Sequence, residues 1–230
     1  MRAFFLLVSC LMVCLSAYGR ESQRQQGSPH FSSSLVDDSD SFAASQKLLD
    51  KLCRQIGLTC TLTAYPSGRA IKMLQDGENA GELPRFEEFH HMVPTAIRVP
   101  TALGQLSFSA LTHDKNLAIK NLADLAKQKV FYVRGNAVIA AHKELENLIP
   151  VNSEYDCAYM VLRKHGDACI MTKALAIKIL GNSHISSDSY LLQDLFSKPV
   201  YLFLSPQHKH LLLPFDDAIK HLRPEEKLMQ

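Results

Sequence analysis

The sequence predicts an α/β fold made of two lobes. Short apolar or β-branched segments alternate with amphipathic segments of about ten residues, the pattern of strands and helices that pack in α/β layers. This alternation starts after residue 30 and starts again at Asn116. Two stretches, near 100–113 and near 198–205, join the two runs, so the chain is expected to cross between the lobes twice.

The first run of predicted elements extends to Leu111. Apolar residues recur at helical spacing from Phe42 to Ile56, and Gly57 follows as a C-terminal cap. A second helix is expected at Ser67–Gln75, where Asp76-Gly77 ends it. Strands are expected at Phe31–Val36, Thr59–Thr63, Ile97–Val99 and Leu106–Leu111.

The second run repeats the alternation and ends in a helical tail. Helices are expected at Ile119–Ala126, from Asn136 to about Asn147, from the N-cap Ser153 to His165, and at Thr172–Leu180. Strands are expected at Val130–Val133, Ile149–Val151, Ala168–Met171 and Val200–Leu204. The tail from Pro206 is expected to be helical, with Pro214 breaking or restarting it.

The N-terminus has the pattern of a secretory signal. Arg2 precedes an apolar run from Ala3 to Ala17, and Ala17-x-Gly19 is a small-residue cleavage site. The run is shorter than the roughly 20 apolar residues of a membrane-spanning helix. We therefore expect a cleaved signal peptide over 1–19, a flexible leader over 20–30, and export to the periplasm. An uncleaved anchor, or lipidation at Cys10 or Cys14, is the alternative.

Four cysteines remain after residues 1–19 are removed. They are Cys53, Cys60, Cys157 and Cys169, and an even count in an exported chain is typical of disulfides. Pairing of nearest neighbours predicts Cys53–Cys60 and Cys157–Cys169. Free thiols are the alternative, and the spacings are unlike the short intervals between zinc ligands.

Composition and motifs argue against several functional classes. With 47% hydrophobic residues the chain can bury a core, and 25 Lys+Arg against 23 Asp+Glu leave no basic excess for nucleic acid. Trp is absent, and the ten histidines show no metal-ligand spacing. No nucleophile elbow, phosphate-binding loop or dinucleotide fingerprint occurs. These observations predict a non-enzymatic binding protein without metal or cofactor.

Several segments, taken in order, resemble family 3 extracellular solute-binding proteins, the amino-acid ABC transporter type. They are Tyr65–Arg85, Ile97–Pro100, Leu122–Gly135 and Lys164–Ala168. The resemblance implies a periplasmic-binding-protein-like fold of type II, with two α/β lobes, a hinge and a central ligand cleft. It places lobe 1 at 31–108 and 200–230 and lobe 2 at 109–199. The implied partners are a small solute and an ABC transporter permease or membrane sensor, with the chain a monomer.

The sequence departs from that family at positions that bear on the ligand. The family carries an Asp after the strand equivalent to Cys169–Met171, and Thr172-Lys173 stands there in this chain. Where the family's Gly-Glu-x-Asp-Gly motif has its Asp, this chain has Ala80. Where the family frequently has an aromatic residue two positions before its Arg-Ala pair, this chain has Ser67. An ordinary α-amino acid ligand is therefore not implied.

Seven residues are predicted to line the cleft. Arg134-Gly135-Asn136 follows a strand and opens a helix, so its free N–H groups would face an anion. A carboxylate clamp is expected from Arg69, Arg85 or Arg98, and Tyr65 would cover a ligand with its ring. The alternatives are an ordinary strand–helix turn, surface arginines and a packing tyrosine.

The predicted function is therefore an exported protein that binds a small polar, anionic or amino-acid-like solute for uptake or sensing. The alternative is a ligand-free sensory or interaction module of the same fold.

Overall fold

The computed structural model describes residues 28–35, 40–134, 136–182 and 186–229, so the predicted signal peptide lies outside the described residues. Within these ranges the strands are β1 (His30–Ser33), β2 (Thr61–Ala64), β3 (Gly81–Phe86), β4 (Ile97–Arg98), β5 (Gly104–Thr112), β6 (Lys129–Val133), β7 (Asn147–Val151), β8 (Ala168–Thr172), β9 (Leu191–Leu204) and β10 (Leu228–Met229). The α-helices are α1 (Asp40–Gln55), α2 (Ser67–Asp76), α3 (Phe89–Met92), α4 (Ala137–Ala140), α5 (Glu154–Leu162), α6 (Lys173–Asn182) and α7 (Leu212–Lys220). No helix among the described residues is long and apolar enough to span a membrane.

All ten strands belong to one curled, mixed sheet. Along its main path the order is β2-β1-β3-β9-β5-β8-β6-β7, with β4 beside β9 and β10 beside β5. The strands β2, β1 and β3 are parallel to one another, and so are β8, β6 and β7. Between these two parallel groups run β5 and β9, antiparallel to each other. The α/β prediction is confirmed.

The strand β9 is much longer than the sequence indicated. The prediction placed a strand at Val200–Leu204, whereas β9 begins at Leu191. Polar residues interrupt the added part, but they have partners: the amide of Gln193 accepts the Ile119 N–H at 2.9 Å and donates to the Leu117 carbonyl at 2.9 Å. Opposite Phe108 and Ser109 the register shifts, which leaves Leu195 as a bulge.

Buried apolar residues form separate clusters on the two sides of the crossing strands. The first is built on Phe31, Leu49 and Phe215, with the rings of Phe31 and Phe215 edge-to-face at 5.7 Å. Two others draw their buried members from the stretch between Phe108 and Leu180. Because each parallel group has its own core, each has the packing of a separate α/β layer.

Two predicted helices are shorter than expected. The helix from Asn136 to about Asn147 is only the four-residue α4, because Leu145 is buried and the Glu146 N–H is bonded to the Ala126 carbonyl at 3.2 Å. This contact turns the chain into β7 despite helix-favouring residues. The predicted helix at Ile119–Ala126 is a single 3₁₀ turn at Leu122–Leu125.

The sequence prediction missed β3, α3 and β10. The sequence of β3 lacks the pattern of a strand because it contains the charged pair Glu82 and Arg85 with a proline between them, whereas buried strands are usually apolar throughout.

The ends of two helices were predicted correctly from glycine. Gly57 and Gly77 both have φ of 74°, a conformation that suits glycine at a helix end.

Both predicted disulfides are present. Cys53 and Cys60 are bridged with Cα atoms 6.1 Å apart, which joins the end of α1 to the start of β2. Cys157 and Cys169 are bridged with Cα atoms 5.6 Å apart, which fixes α5 to β8. Each bridge thus ties a helix to the sheet it covers.

Candidate functional site

A cavity of about 390 Å³ lies where the two parallel groups of strands face each other. Its wall includes the segment after β1 and the end of β8, and ligands of open α/β sheets bind beyond such carboxyl ends. The volume lies in the range of small-molecule sites. Its lining residues are Ser34, Leu35, Asp40, Ser41, Ala44, Ser45, Pro84, Leu106, Glu154, Thr172, Ala174, Leu175, Lys178 and Leu228.

The first half of the chain contributes mainly small and hydroxyl side chains. Ser34 and Leu35 follow β1, and Asp40 and Ser41 begin α1. One turn further, the Ser45 hydroxyl donates to the Ser41 carbonyl at 2.8 Å. This side of the cavity is therefore the N-terminal end of α1.

The second half of the chain contributes two helix ends. Glu154 is the first residue of α5, where the Ser153 hydroxyl accepts the Asp156 N–H at 3.0 Å as an N-cap. Thr172 ends β8, and α6 follows with Lys178 one turn further along. Because the Cys157–Cys169 bridge joins α5 to β8, it holds these two helix ends in fixed relation.

An ion pair joins the two sides of the cavity. Lys178 Nζ lies 2.8 Å from Asp40 Oδ2, although the two residues are 138 positions apart in the chain. The Asp40 side chain is 84% exposed and that of Lys178 is 39% exposed, so the pair lies at the cavity mouth. Exposed ion pairs of this kind contribute about 0–1 kcal/mol.

Lys173, where the resembled family carries its Asp, is also paired. Its Nζ donates to Asp194 Oδ2 of β9 at 2.7 Å, and the Ser109 hydroxyl donates to Asp194 Oδ1 at 3.0 Å. The hydrogen bond from Lys173 and, to a smaller extent, the one from Ser109 lower the pKa of Asp194. The lysine therefore anchors α6 to the crossing strand rather than projecting into the cavity.

Of the seven residues predicted to line a cleft, Gly135 lies outside the described residues, and the other six do not line this cavity. Tyr65 and Arg69 contact each other, with the guanidinium 4.7 Å from the ring centroid. Arg98 donates to Glu87 Oε1 at 2.5 Å and lies 4.6 Å from the Tyr201 ring centroid. Their role in binding a solute stays a prediction.

Arg85 is buried rather than exposed. Only 13% of its side chain is accessible, and Nε donates to Glu82 Oε1 at 2.8 Å while Nη2 donates to Ser67 Oγ at 3.2 Å. Glu82 is fully buried, and burial raises the pKa of its carboxyl while the nearby guanidinium of Arg85 opposes the rise. The arginine thus has a structural partner in the same strand.

The predicted anion site after β6 is followed by a helix of only four residues, α4. The Arg134 N–H donates to the Val151 carbonyl at 2.9 Å, and its side chain is exposed. Asn136 Oδ1 accepts the Ile139 N–H at 3.3 Å, so the asparagine caps α4 itself. Since α4 has a single turn, few aligned peptide dipoles are available to attract an anion.

Sequence reasoning missed the cavity residues for a physical reason. Most of them come from the N-terminal parts of α1, α5 and α6, and only the tertiary arrangement brings those helix ends together. One signal was available: Asp37–Ser41, Ser153 and Thr172 follow predicted strands closely and are of residue types that favour helix N-termini. Such strand–helix junctions are where α/β proteins place ligands.

Comparisons with known proteins identify the fold. No family model matches the sequence. A protein described as uncharacterized from Shewanella oneidensis is 26% identical over 180 residues, which cover 74% of this chain and 67% of that protein.

Two solved structures illustrate the likeness. An ancestral arginine-binding protein bound to arginine superposes with a TM-score of 0.68 at 13% identity, covering 86% of this chain and 92% of its own. The VFT2 domain of BvgS from Bordetella pertussis superposes with a TM-score of 0.67 at 15% identity, covering 86% and 89%. The chain therefore has the two-lobed α/β fold of periplasmic amino-acid-binding proteins, which confirms the predicted fold.

Proposed function

We propose that the protein is an exported solute-binding protein of the family 3 type, which holds a small polar, amino-acid-like solute in the cavity described above. The observation that carries the proposal is that both halves of the chain line this cavity, while β5 and β9 connect them. A solute held between two lobes joined by a hinge couples binding to closure. The fold and the cavity volume agree with this role.

For the two lobes we propose the same division that the sequence predicts. We assign 31–108 and 200–230 to lobe 1 and 109–199 to lobe 2, with β5 and β9 as the hinge. The separate apolar clusters on the two sides of these strands support the assignment. The bulge at Leu195 gives the hinge a local point at which the ladder can bend.

The lining has the chemistry of a site for a small polar molecule. Hydroxyl groups of four residues supply hydrogen bonds, and apolar side chains such as Leu35 and Leu175 exclude water around them. Charged groups of both signs, Lys178 and the carboxylates of Asp40 and Glu154, are placed at the same cavity. Such a set matches a molecule that carries charge and hydrogen-bonding groups together.

We place the protein outside the cytoplasm, where its two disulfides are stable. Its partner would be a transporter permease or a membrane sensor. A ligand-free sensory or interaction module of the same fold is the second candidate.

A thermal-shift screen with amino acids, organic acids and polyamines tests the proposal, because a ligand that binds only the folded state raises its melting temperature. The cavity variant is Ala174→Phe, which fills the site from α6, and the matched control is Ala43→Phe on the exposed face of α1. A shift seen with the parent protein and the control but lost in Ala174→Phe supports the proposal. A flat response of the parent protein to every compound refutes solute binding and favours the interaction module.

A further inference from the structure

The cavity between the halves of the chain carries more negative than positive charge. Among its described lining residues, Asp40 and Glu154 are acids and Lys178 is the one base, while the rest are hydroxyl or apolar. Lys178 is already paired with Asp40. The carboxylate of Glu154 has no ion-pair partner in the part of the chain that the structure describes. The described lining therefore contains one carboxylate, that of Glu154, without an ion-pair partner among the described residues.

An ammonium group already occupies one position at this site. The Nζ of Lys178 lies 2.8 Å from Asp40 Oδ2, within the range of a charge-assisted hydrogen bond. Asp40 belongs to α1 and Lys178 to α6, so the pair closes the mouth from opposite sides. The contact shows that a primary amine fits against the Asp40 carboxylate at a cavity that both residues line.

Glu154 lies at the N-terminal end of a helix that borders the cavity. It is the first residue of the nine-residue α5, where the unbonded N–H groups of the first turn favour a negative charge. Its side chain is half-buried and faces the same cavity. A carboxylate in a partly enclosed site attracts a cation more strongly than the same group in water.

We infer that this cavity selects solutes that carry a protonated amine, which bind Glu154 and compete with Lys178 for Asp40. The inference rests on the proposed function, since it names the ligand class of the same site. It differs from the anionic solute expected from the arginine residues, none of which lines the cavity. Lys178 is then a tethered competitor rather than a ligand-binding residue.

The two ligand classes predict opposite effects of one substitution. For a solute bound through an amine, Lys178→Met removes the competitor, and affinity should rise about two- to fivefold, the range expected from an exposed ion pair. For a solute bound through a carboxylate, the same change removes its partner, and affinity should fall. For the amine class, Glu154→Gln should weaken binding about tenfold, because it removes a charge-assisted contact.

Calorimetry with four probes tests the inference: putrescine and agmatine, which carry protonated amines and no carboxylate, and succinate and glutarate, which carry carboxylates and no amine. Lys72→Met and Glu78→Gln are the matched controls, because both residues lie outside the cavity and are exposed. Binding of an amine probe, tightened by Lys178→Met and weakened by Glu154→Gln but unchanged in the controls, supports the inference.

Other results refute it in distinguishable ways. If only succinate or glutarate binds, and Lys178→Met weakens that binding, the ligand class is wrong while the proposed function stands. If an amine binds but neither cavity variant alters its affinity, the assignment to Glu154 and Lys178 is wrong. If none of the four probes binds the parent protein, both this inference and the proposed function fail for these solute classes.

Discussion

The buried ion pair of Glu82 and Arg85 allows a quantitative test of how the first half of the chain is packed. Arg85→Met removes the guanidinium but keeps an unbranched apolar stem that can still cover the Phe89 ring, which lies 4.6 Å from the guanidinium. Glu82 then keeps a carboxylate that is fully buried, one of whose oxygens already has no hydrogen-bond partner. The substitution therefore isolates the cost of an uncompensated buried charge.

The expected loss is large because Glu82 cannot reach water. Removing one partner of a buried ion pair costs about 3–5 kcal/mol. For a chain of this size each kcal/mol lowers the melting temperature by about 2–4 °C, so a fall of roughly 10 °C is expected. The double variant Glu82→Gln/Arg85→Met should recover most of the loss, because replacing both ions is often close to neutral.

The loss should depend on pH in a defined direction. Burial already raises the pKa of Glu82 above its ordinary value of 4.5, and loss of Arg85 removes the influence that opposes this rise. A raised carboxyl pKa means that the folded protein keeps the proton that the unfolded chain releases, so stability falls as pH rises above 4.5. The deficit of Arg85→Met should therefore be full at pH 8 and shrink as the pH approaches 4.5.

Urea denaturation at several pH values measures this, with Arg98→Met as the matched control. Arg98 also stacks on an aromatic ring at 4.6 Å, but its partner Glu87 is 59% exposed, so its loss should cost no more than about 1 kcal/mol. Equal, pH-independent losses in Arg85→Met and Arg98→Met would refute the argument from burial.

Three further outcomes are expected. Replacing Cys157 and Cys169 together by alanine should lower the free energy of unfolding by about 3 kcal/mol, the value for a loop of this length. Peptide mapping of the parent protein without reductant should recover these two cysteines in one linked fragment. Ser153→Ala should lower the free energy of unfolding, measured by urea denaturation, by about 1 kcal/mol. The Asp156 N–H in the first turn of α5 would lose the Ser153 hydroxyl, its hydrogen-bond partner at 3.0 Å. Hydrogen bonds, chiefly from Arg223, lower the pKa of Glu226 to about 2, so Glu226→Gln should flatten the loss of stability that the parent protein shows between pH 4.5 and 2.

Local sequence signals predicted the elements whose formation depends on local chemistry. The apolar stripe from Phe42 and the glycine cap at Gly57 placed α1 within two residues of its ends. Nearest-neighbour pairing also identified both disulfides, because each loop closes a single helix-to-strand connection. In these cases the residues that determine the structure are close together in the chain.

The missed elements depend on distant partners. In β3 the buried Glu82 is paired with Arg85, which in turn donates to Ser67, 18 positions earlier in the chain. The amino-terminal part of β9 pairs with β5. The shortening of the helix after Asn136 follows from one contact with Ala126. The composition of a short stretch of sequence contains no information on partners that lie far away in the chain. These segments could therefore not be assigned from the periodicity of their apolar residues.

The same distinction explains why the candidate site differs from the cleft expected from the sequence. Arginines were favoured because a guanidinium is a strong partner for an anion, but Arg85 and Arg98 meet carboxylates of the chain itself. The cavity instead joins Asp40 to Lys178 across 138 positions. Both disulfides lie within one proposed lobe each, so neither would oppose the opening that a solute needs in order to enter. The ion pair that the described residues form across the cavity is thus weak and reversible, as the proposed opening of the lobes requires, whereas each covalent link lies within one proposed lobe.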